Sequence, residues 1–291
     1  MMRRSLALLL PALLAPAQDA PLAQRLRTER PEVERLMEAF QAKEALAKAE
    51  ALLPAQKPTW DNTDGNAQYR SYLALQDVAA AYYLASRAAL AAGLWEKALD
   101  HAKGAQATVV DNAAQAGLAF PKIAEIYEGR AKRGREMLVE NDAYIKELRA
   151  KANPDAGDKQ QLDLVAAEEK GIAENDKWAK TFQGFLDAAK KDATRYDPWV
   201  KALDDQLKAV EAQIAEYKGG KGDKVKWVEG IISSPTYLTT AYPDKKERVA
   251  FLYRLAVLDP ESAKVQRQID IELGKIVAPP AKPAPKKRGK G

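Results

Sequence analysis

The sequence has no cysteine and a single histidine, His101. Those two shortages exclude thiol nucleophiles, disulfides and the usual His/Cys zinc sites. A Ser-His-Asp triad would have to use His101, which stands between Asp100 and Ala102 in a helical stretch and reads as a helix-surface residue. There is no phosphate-cradling loop, because Lys218-Gly219-Gly220-Lys221-Gly222-Asp223 is a helix stop and not a GxxxxGK[ST] motif. Trp60-Asp61-Asn62-Thr63-Asp64-Gly65-Asn66 gathers acids around a glycine, but the register is wrong for a calcium loop and the twelfth-position glutamate is missing; turn and capping chemistry explain it. Carboxylates are plentiful, yet none stands in a strand-end or glycine-rich context, and charged helix faces account for nearly all of them. Aromatic residues make up 7% of the chain. No apolar run reaches the ~20 residues that a membrane-spanning helix takes.

The two ends differ from what lies between them. Arg3-Arg4, the apolar run Ser5 to Leu14 and Ala15-Pro16-Ala17 have the three-part order of a signal peptide, with cleavage expected after Ala17. The mature chain is therefore expected in a bacterial periplasm or outside the cell, with no transmembrane segment. Residues 278–291 alternate Pro and Ala and then turn basic, a composition that reads as a disordered, extended tail. The net charge is +5, to which Arg3 and Arg4 contribute +2 and the tail cations Lys282, Lys286, Lys287, Arg288 and Lys290 another +5, so the body between is at −2. The basic pI belongs to the ends, which weakens any nucleic-acid reading of the fold itself.

The interior is helical by its periodicity. Val200, Leu203, Leu207, Val210, Ile214 and Tyr217 recur at alternating three- and four-residue steps, the spacing of a seam that faces another helix. Asp197-Pro198 opens that helix and Gly219-Gly220 closes it. Two less regular seams precede it, one from Ala124 to Leu148 starting at Pro121, the other from Val165 to Tyr196. Asn153-Pro154-Asp155-Ala156-Gly157-Asp158 turns the chain between them. An antiparallel hairpin folded there predicts Asn141 beside Glu168, as a polar layer, and Gly134 beside Asn175. Earlier, Pro21 to Pro54 reads as one helix or as two with Pro31 starting the second, ended by Pro54 and Pro58, and Asn66 to Ala92 and Leu94 to Val110 read as two helices joined at Gly93. Later, Asp223 to Ile232, Pro243 to Leu258 and Glu261 to Val277 read as helices.

Gly93, Trp95, Ala98, Ala102 and Ala105 give a turn glycine, an aromatic two positions on and small residues where two helices cross closely. In this the stretch 79–112 resembles a tetratricopeptide repeat, with weaker echoes at 44–54 and at 251–262, the latter closing in Asp259-Pro260. It departs from the repeat at Ser86, where the helix-crossing glycine would stand, and at Ala89, in place of the usual tyrosine. The resemblance implies helical hairpins with a concave, partner-accepting surface.

The expected protein is all-α, with repeat-like helical hairpins flanking a long antiparallel helical hairpin or bundle. Its divisions are a signal peptide (1–17), an N-terminal repeat-like region (18–112), a long hairpin with a third coiled-coil-like helix (113–222), a C-terminal helical region (223–277) and the tail (278–291). The expected function is that of an exported, non-enzymatic scaffold for protein–protein contact in the cell envelope, with no cofactor or metal and with self-association left open. The candidate contact residues are Trp60, expected to be exposed in a polar turn, and Lys286, Lys287 and Arg288 of the tail. A second reading has the tail bind an anionic surface. A third, a carboxylate-based envelope hydrolase, has no motif behind it.

Overall fold

Small and apolar side chains at three- and four-residue steps give nearly every segment one stripe to bury, and the chain answers with helices. The computed structural model describes residues 21–218, 223–234 and 237–277. Among them the protein is all-α, with no strand and with eleven helices: α1 (Pro21–Glu38), α2 (Ala42–Ala51), α3 (Gly65–Ala91), α4 (Trp95–Glu140), α5 (Asp142–Ala150), α6 (Ala156–Asp192), α7 (Asp197–Lys218), α8 (Lys224–Ile232), α9 (Tyr237–Ala241), α10 (Lys245–Leu258) and α11 (Ala263–Glu272). None of these is long and apolar enough to cross a membrane.

Two prolines expected to mark boundaries do not. Pro31 lies inside α1 and Pro121 inside α4, so the helix that starts at Trp95 runs on for 46 residues instead of stopping near Val110. Both rings are exposed. A mid-helix proline costs about 3 kcal/mol, and the burial of Ala119, Phe120, Ile123 and Ala124 around Pro121 offsets it. The real breaks fall elsewhere. Phe40 takes a left-handed φ of 59° between α1 and α2. Asn141 separates α4 from α5, its side-chain amide donating to the Met137 carbonyl at 2.7 Å and so competing with the helix ladder.

Among the described residues the chain's packing makes two compact units, each drawn from three separate stretches: 21–26, 54–80 and 104–198 in the first, 27–53, 81–103 and 199–277 in the second. The first unit is built on an aromatic core in which Tyr72 of α3, Phe120 of α4 and Phe182 of α6 are buried together, with Tyr69, Tyr127, Trp178 and Phe185 packed around them. Phe120 and Phe182 lie 5.5 Å apart, ring to ring, and Tyr127 stacks on Phe182 at 5.9 Å. Asn112, fully buried, donates its side-chain amide to the Tyr72 carbonyl at 3.0 Å and so ties α4 to α3. Asp155 and Asp158 form a capping box at the start of α6, placing the turn where the Asn-Pro-Asp sequence asked for it. Ile145 and Leu148 bury α5 against α6.

The expected polar layer is absent from this unit. Asn141 is exposed, and Glu168 comes instead against Gly134: a Cβ on that glycine would lie 2.5 Å from Glu168 Oε1 and 2.7 Å from Ile172 Cγ1. Asn175, which does lie in the α6 seam, is buried with no partner for its side-chain oxygen among the described residues.

In the second unit, α8 packs on α9, α10 and α11, and α10 packs on α11. Phe251, Leu252 and Leu255 of α10 are fully buried, each contributing on the order of 1.5–3 kcal/mol by leaving water. Val33, Leu36, Ala45, Ala49, Leu52, Ala85, Ala88 and Trp227 are also buried in this unit. The α7 seam is real: Leu203, Leu207, Val210 and Ile214 are buried. It is counted with this second unit and not with α6.

Candidate functional site

The second unit holds a cleft of about 760 Å³ lined by residues of α1, α3, α7 and α10 and by the segments that join them. Four half-buried aromatics face it: Phe40, Trp199, Tyr242 and Tyr253, with buried Trp95 behind. Glu34, Glu38, Arg87, Lys246 and Glu247 stand among them.

Each aromatic is held by a specific contact. At the end of α1 the Phe40 N–H donates to the Met37 carbonyl at 3.1 Å and the Gln41 N–H to the Leu36 carbonyl at 2.9 Å. This is a Schellman cap with phenylalanine where glycine normally sits. The Tyr253 hydroxyl donates to the Phe40 carbonyl at 3.1 Å, pinning that strained turn to α10. Lys245 Nζ lies 5.2 Å from the centre of the Phe40 ring. Trp199 donates its indole N–H to Ser86 Oγ at 2.8 Å, and Ser86 in turn donates to the Ala98 carbonyl at 2.7 Å. One fully buried hydroxyl therefore joins α3, α4 and α7. Ser86 is the position where the sequence departs from the repeat pattern, and the hydroxyl that a glycine would lack is what holds Trp199. Tyr242 stacks on Phe251 at 4.4 Å with its other face toward the cleft.

Behind these residues Arg254, buried, lays its guanidinium 5.8 Å from the Trp95 ring centre and grips Glu96 through both terminal nitrogens, one at 2.6 Å. Burial is the largest single influence on Glu96 and opposes its ionisation, but the hydrogen bond from Arg254, a backbone hydrogen bond and the charges of Arg254 and Lys224 together outweigh it and hold the carboxyl below its ordinary range. Glu34 is likewise held low: partial burial works against the charge, and Arg30 and Arg87 prevail. Burial raises the Tyr242 hydroxyl to about 12, with Tyr237 and Glu247 adding to it. Glu38 pairs with Lys246 at 3.6 Å. The cleft thus offers flat aromatic faces and fixed charges of both signs, an arrangement suited to gripping an extended or helical chain. Among the described residues no group of three or more His, Asp or Glu side chains is placed to hold a metal ion.

The residues singled out from the sequence lie elsewhere. Trp60, in the first unit, is not the exposed turn residue expected: it is half-buried, with its ring 6.1 Å from Phe120 and its indole nitrogen buried. The acids after it do turn chemistry, Asp61 accepting from the Thr63 N–H at 2.9 Å and Asp64 from the Ala67 N–H at 2.7 Å. Lys286, Lys287 and Arg288, like the signal segment 1–17, lie outside the described residues. His101 is more enclosed than a helix-surface position implies, with its ring 2.9 Å from Glu50 Oε1 and 14% of its side chain exposed. Phe40, Tyr242 and Tyr253 were not anticipated; their one local signal is the absence of a glycine at a sharp helix end. No family model matches the chain, and neither a curated protein nor a solved structure is detectably similar to it.

Proposed function

We propose that the protein is an exported, non-enzymatic scaffold for protein–protein contact in the cell envelope, and that the cleft of the second unit is where it takes its partner. The observation that carries this reading is the set of four half-buried aromatics, each anchored from behind, around one opening. Flat, rigid side chains of this kind supply most of the free energy of peptide and protein recognition. The resemblance of 79–112 to a tetratricopeptide repeat supports it. The hydrolase reading has less support, since Glu34 and Glu38 are both engaged in ion pairs and Glu34 is held ionised. The test is capture from the envelope fraction with the wild-type chain and with Ala209→Arg, an exposed position on the cleft wall. A specific protein recovered by the first and lost by the second supports the assignment. Recovery indifferent to Ala209→Arg sinks it.

A second reading rests on the five tail cations: attachment to an anionic surface such as lipid headgroups or cell-wall polymer. Its test is removal of residues 278–291, with binding measured at low and high salt. Without a salt-sensitive loss of binding, the tail has no such role.

A further inference from the structure

We propose that the cleft of the second unit is occupied in the resting protein by the chain's own proline-rich segment, Pro279-Pro280-Ala281-Lys282-Pro283-Ala284-Pro285, which an outside partner displaces. The inference rests on the cleft being a binding site. It deepens that reading by naming the first occupant and the chemistry that holds it.

Three observations point the same way. The first is chemical match. Pro280 and Pro283 stand three apart in a P-x-x-P pattern, the spacing that puts two prolines on one edge of a polyproline II helix with three residues per turn. Such an edge docks on aromatic-lined grooves with little loss of entropy because it is already extended. Phe40, Trp199, Tyr242 and Tyr253 provide such a lining.

The second is where the chain leaves the fold. Arg248 donates to Glu272, the last residue of α11, at 3.1 Å, and to the carbonyl of Tyr242 at 2.9 Å. One guanidinium therefore spans the end of α11 and the backbone of a residue whose ring lines the cleft. The chain stays tied to the end of α11 as far as Ile276, whose N–H donates to the Asp270 carbonyl at 3.4 Å; from Val277 the three residues to Pro280 and the eight to Pro285 cover up to about 9 and 25 Å at ~3.1 Å per residue, so the segment starts beside the residues that Arg248 ties together.

The third is charge. The cleft wall carries Glu34, Glu38 and Glu247 among Arg87, Lys246 and, beside the Phe40 ring, Lys245, so its charges balance, while residues 278–291 carry five cations and no acid. The cations of the segment therefore meet cleft carboxylates without facing a net positive wall.

The absence of cysteine makes the test direct. A single Ala284→Cys in the full-length chain takes one bimane label, whose emission is quenched by a neighbouring tryptophan such as Trp199. A tether of this length sets an effective concentration on the order of mM, so the dye is expected to lose about half its emission at any protein concentration. The emission should recover when Pro280→Ala and Pro283→Ala are added, and also in Ala209→Arg. Three results overturn the proposal: emission equal to that of the free labelled peptide 278–291, quenching that survives loss of both prolines, or quenching that grows with protein concentration and so comes from a second copy. The envelope capture experiment separates this outcome from the one it rests on. If Ala209→Arg abolishes partner capture while the dye was never quenched, the cleft binds a partner and this segment is not its resident.

Discussion

Replacing Gly93 by alanine, with Gly274→Ala as its control, separates two ways in which a single methyl group can harm this fold. Both glycines have left-handed backbones, at φ 75° and 73°, so each substitution carries the same strain of about 1–2 kcal/mol. Around Gly274 there is nothing within 4 Å of the new Cβ among the described residues. At Gly93 the Cβ would lie 2.3 Å from the Arg254 nitrogen and the Tyr253 carbonyl carbon and 2.6 Å from the Tyr253 oxygen. These are backbone atoms, with no rotamer to relieve the overlap. Ordinary contact begins near 3.4 Å, so α10 would have to withdraw by roughly 1 Å from an interior packed as densely as an organic crystal. That movement loosens Phe251, Leu252 and Leu255 and the Arg254–Glu96 pair together. Overpacking of this kind adds about 1–3 kcal/mol, for a total of about 2–5 kcal/mol at Gly93 against about 1–2 at Gly274. Urea unfolding followed by circular dichroism gives both values from midpoints at a shared slope. Equal losses in the two variants would refute the reasoning, since the α10 contact would then be contributing nothing.

Four further outcomes follow from named contacts. Ser86→Ala removes the acceptor of the Trp199 indole and a bond to the Ala98 carbonyl; a loss of about 1–3 kcal/mol is expected, with a changed near-ultraviolet tryptophan signal, and an unaltered spectrum would contradict the anchoring role. Because the folded-state pKa of Glu96 lies below its ordinary 4.5, with burial opposing and Arg254 prevailing, its contribution to stability is present above that value and disappears as pH falls through the depressed one; in a urea series against pH, Glu96→Gln should flatten that part of the acid limb. Pro121→Ala restores a helix donor at an exposed site inside α4 and should raise the unfolding midpoint by an amount worth ~1 kcal/mol or more; a fall would show that α4 needs the proline. Gly184→Ala has open space and should gain about 0.5–1 kcal/mol, whereas Gly134→Ala meets Ile172 and Glu168 and should lose stability despite the same helix-propensity gain; thermal unfolding of the two variants compares them directly.

What could be read in advance was local. The α7 seam from Leu203 to Ile214, the stop at Gly93 and the turn over residues 153–158 each follow from a few neighbouring residues whose preferences agree, and each stands in the structure. Pro31 and Pro121 misled because intrinsic preference is a small term when the turns on either side bury a stripe and the ring points outward. Asn141 carried a seam position by spacing alone, but its amide found a backbone carbonyl one turn back and ended the helix there. Trp60 looked free because its flanks are polar, whereas Phe120, sixty residues on, gives it a face to pack against. Beyond the missing glycine at Phe40, the cleft had no local signature. Its walls come from positions as far apart as Phe40 and Tyr253, joined by a hydroxyl-to-carbonyl bond across 213 residues, and no periodicity in a window of a dozen residues encodes such a meeting.

The threefold interleaving of the two units has a consequence for how the chain is made. Arg27 to Leu53 must wait for Trp199 and everything after it before their unit can close, while the first unit is complete once Pro198 has emerged. Synthesis from the N-terminus therefore leaves α1 and α2 with only residues 81–103 of their own unit while all of 104–198 is made, an interval in which a holding chaperone would find incompletely covered apolar stripes to bind.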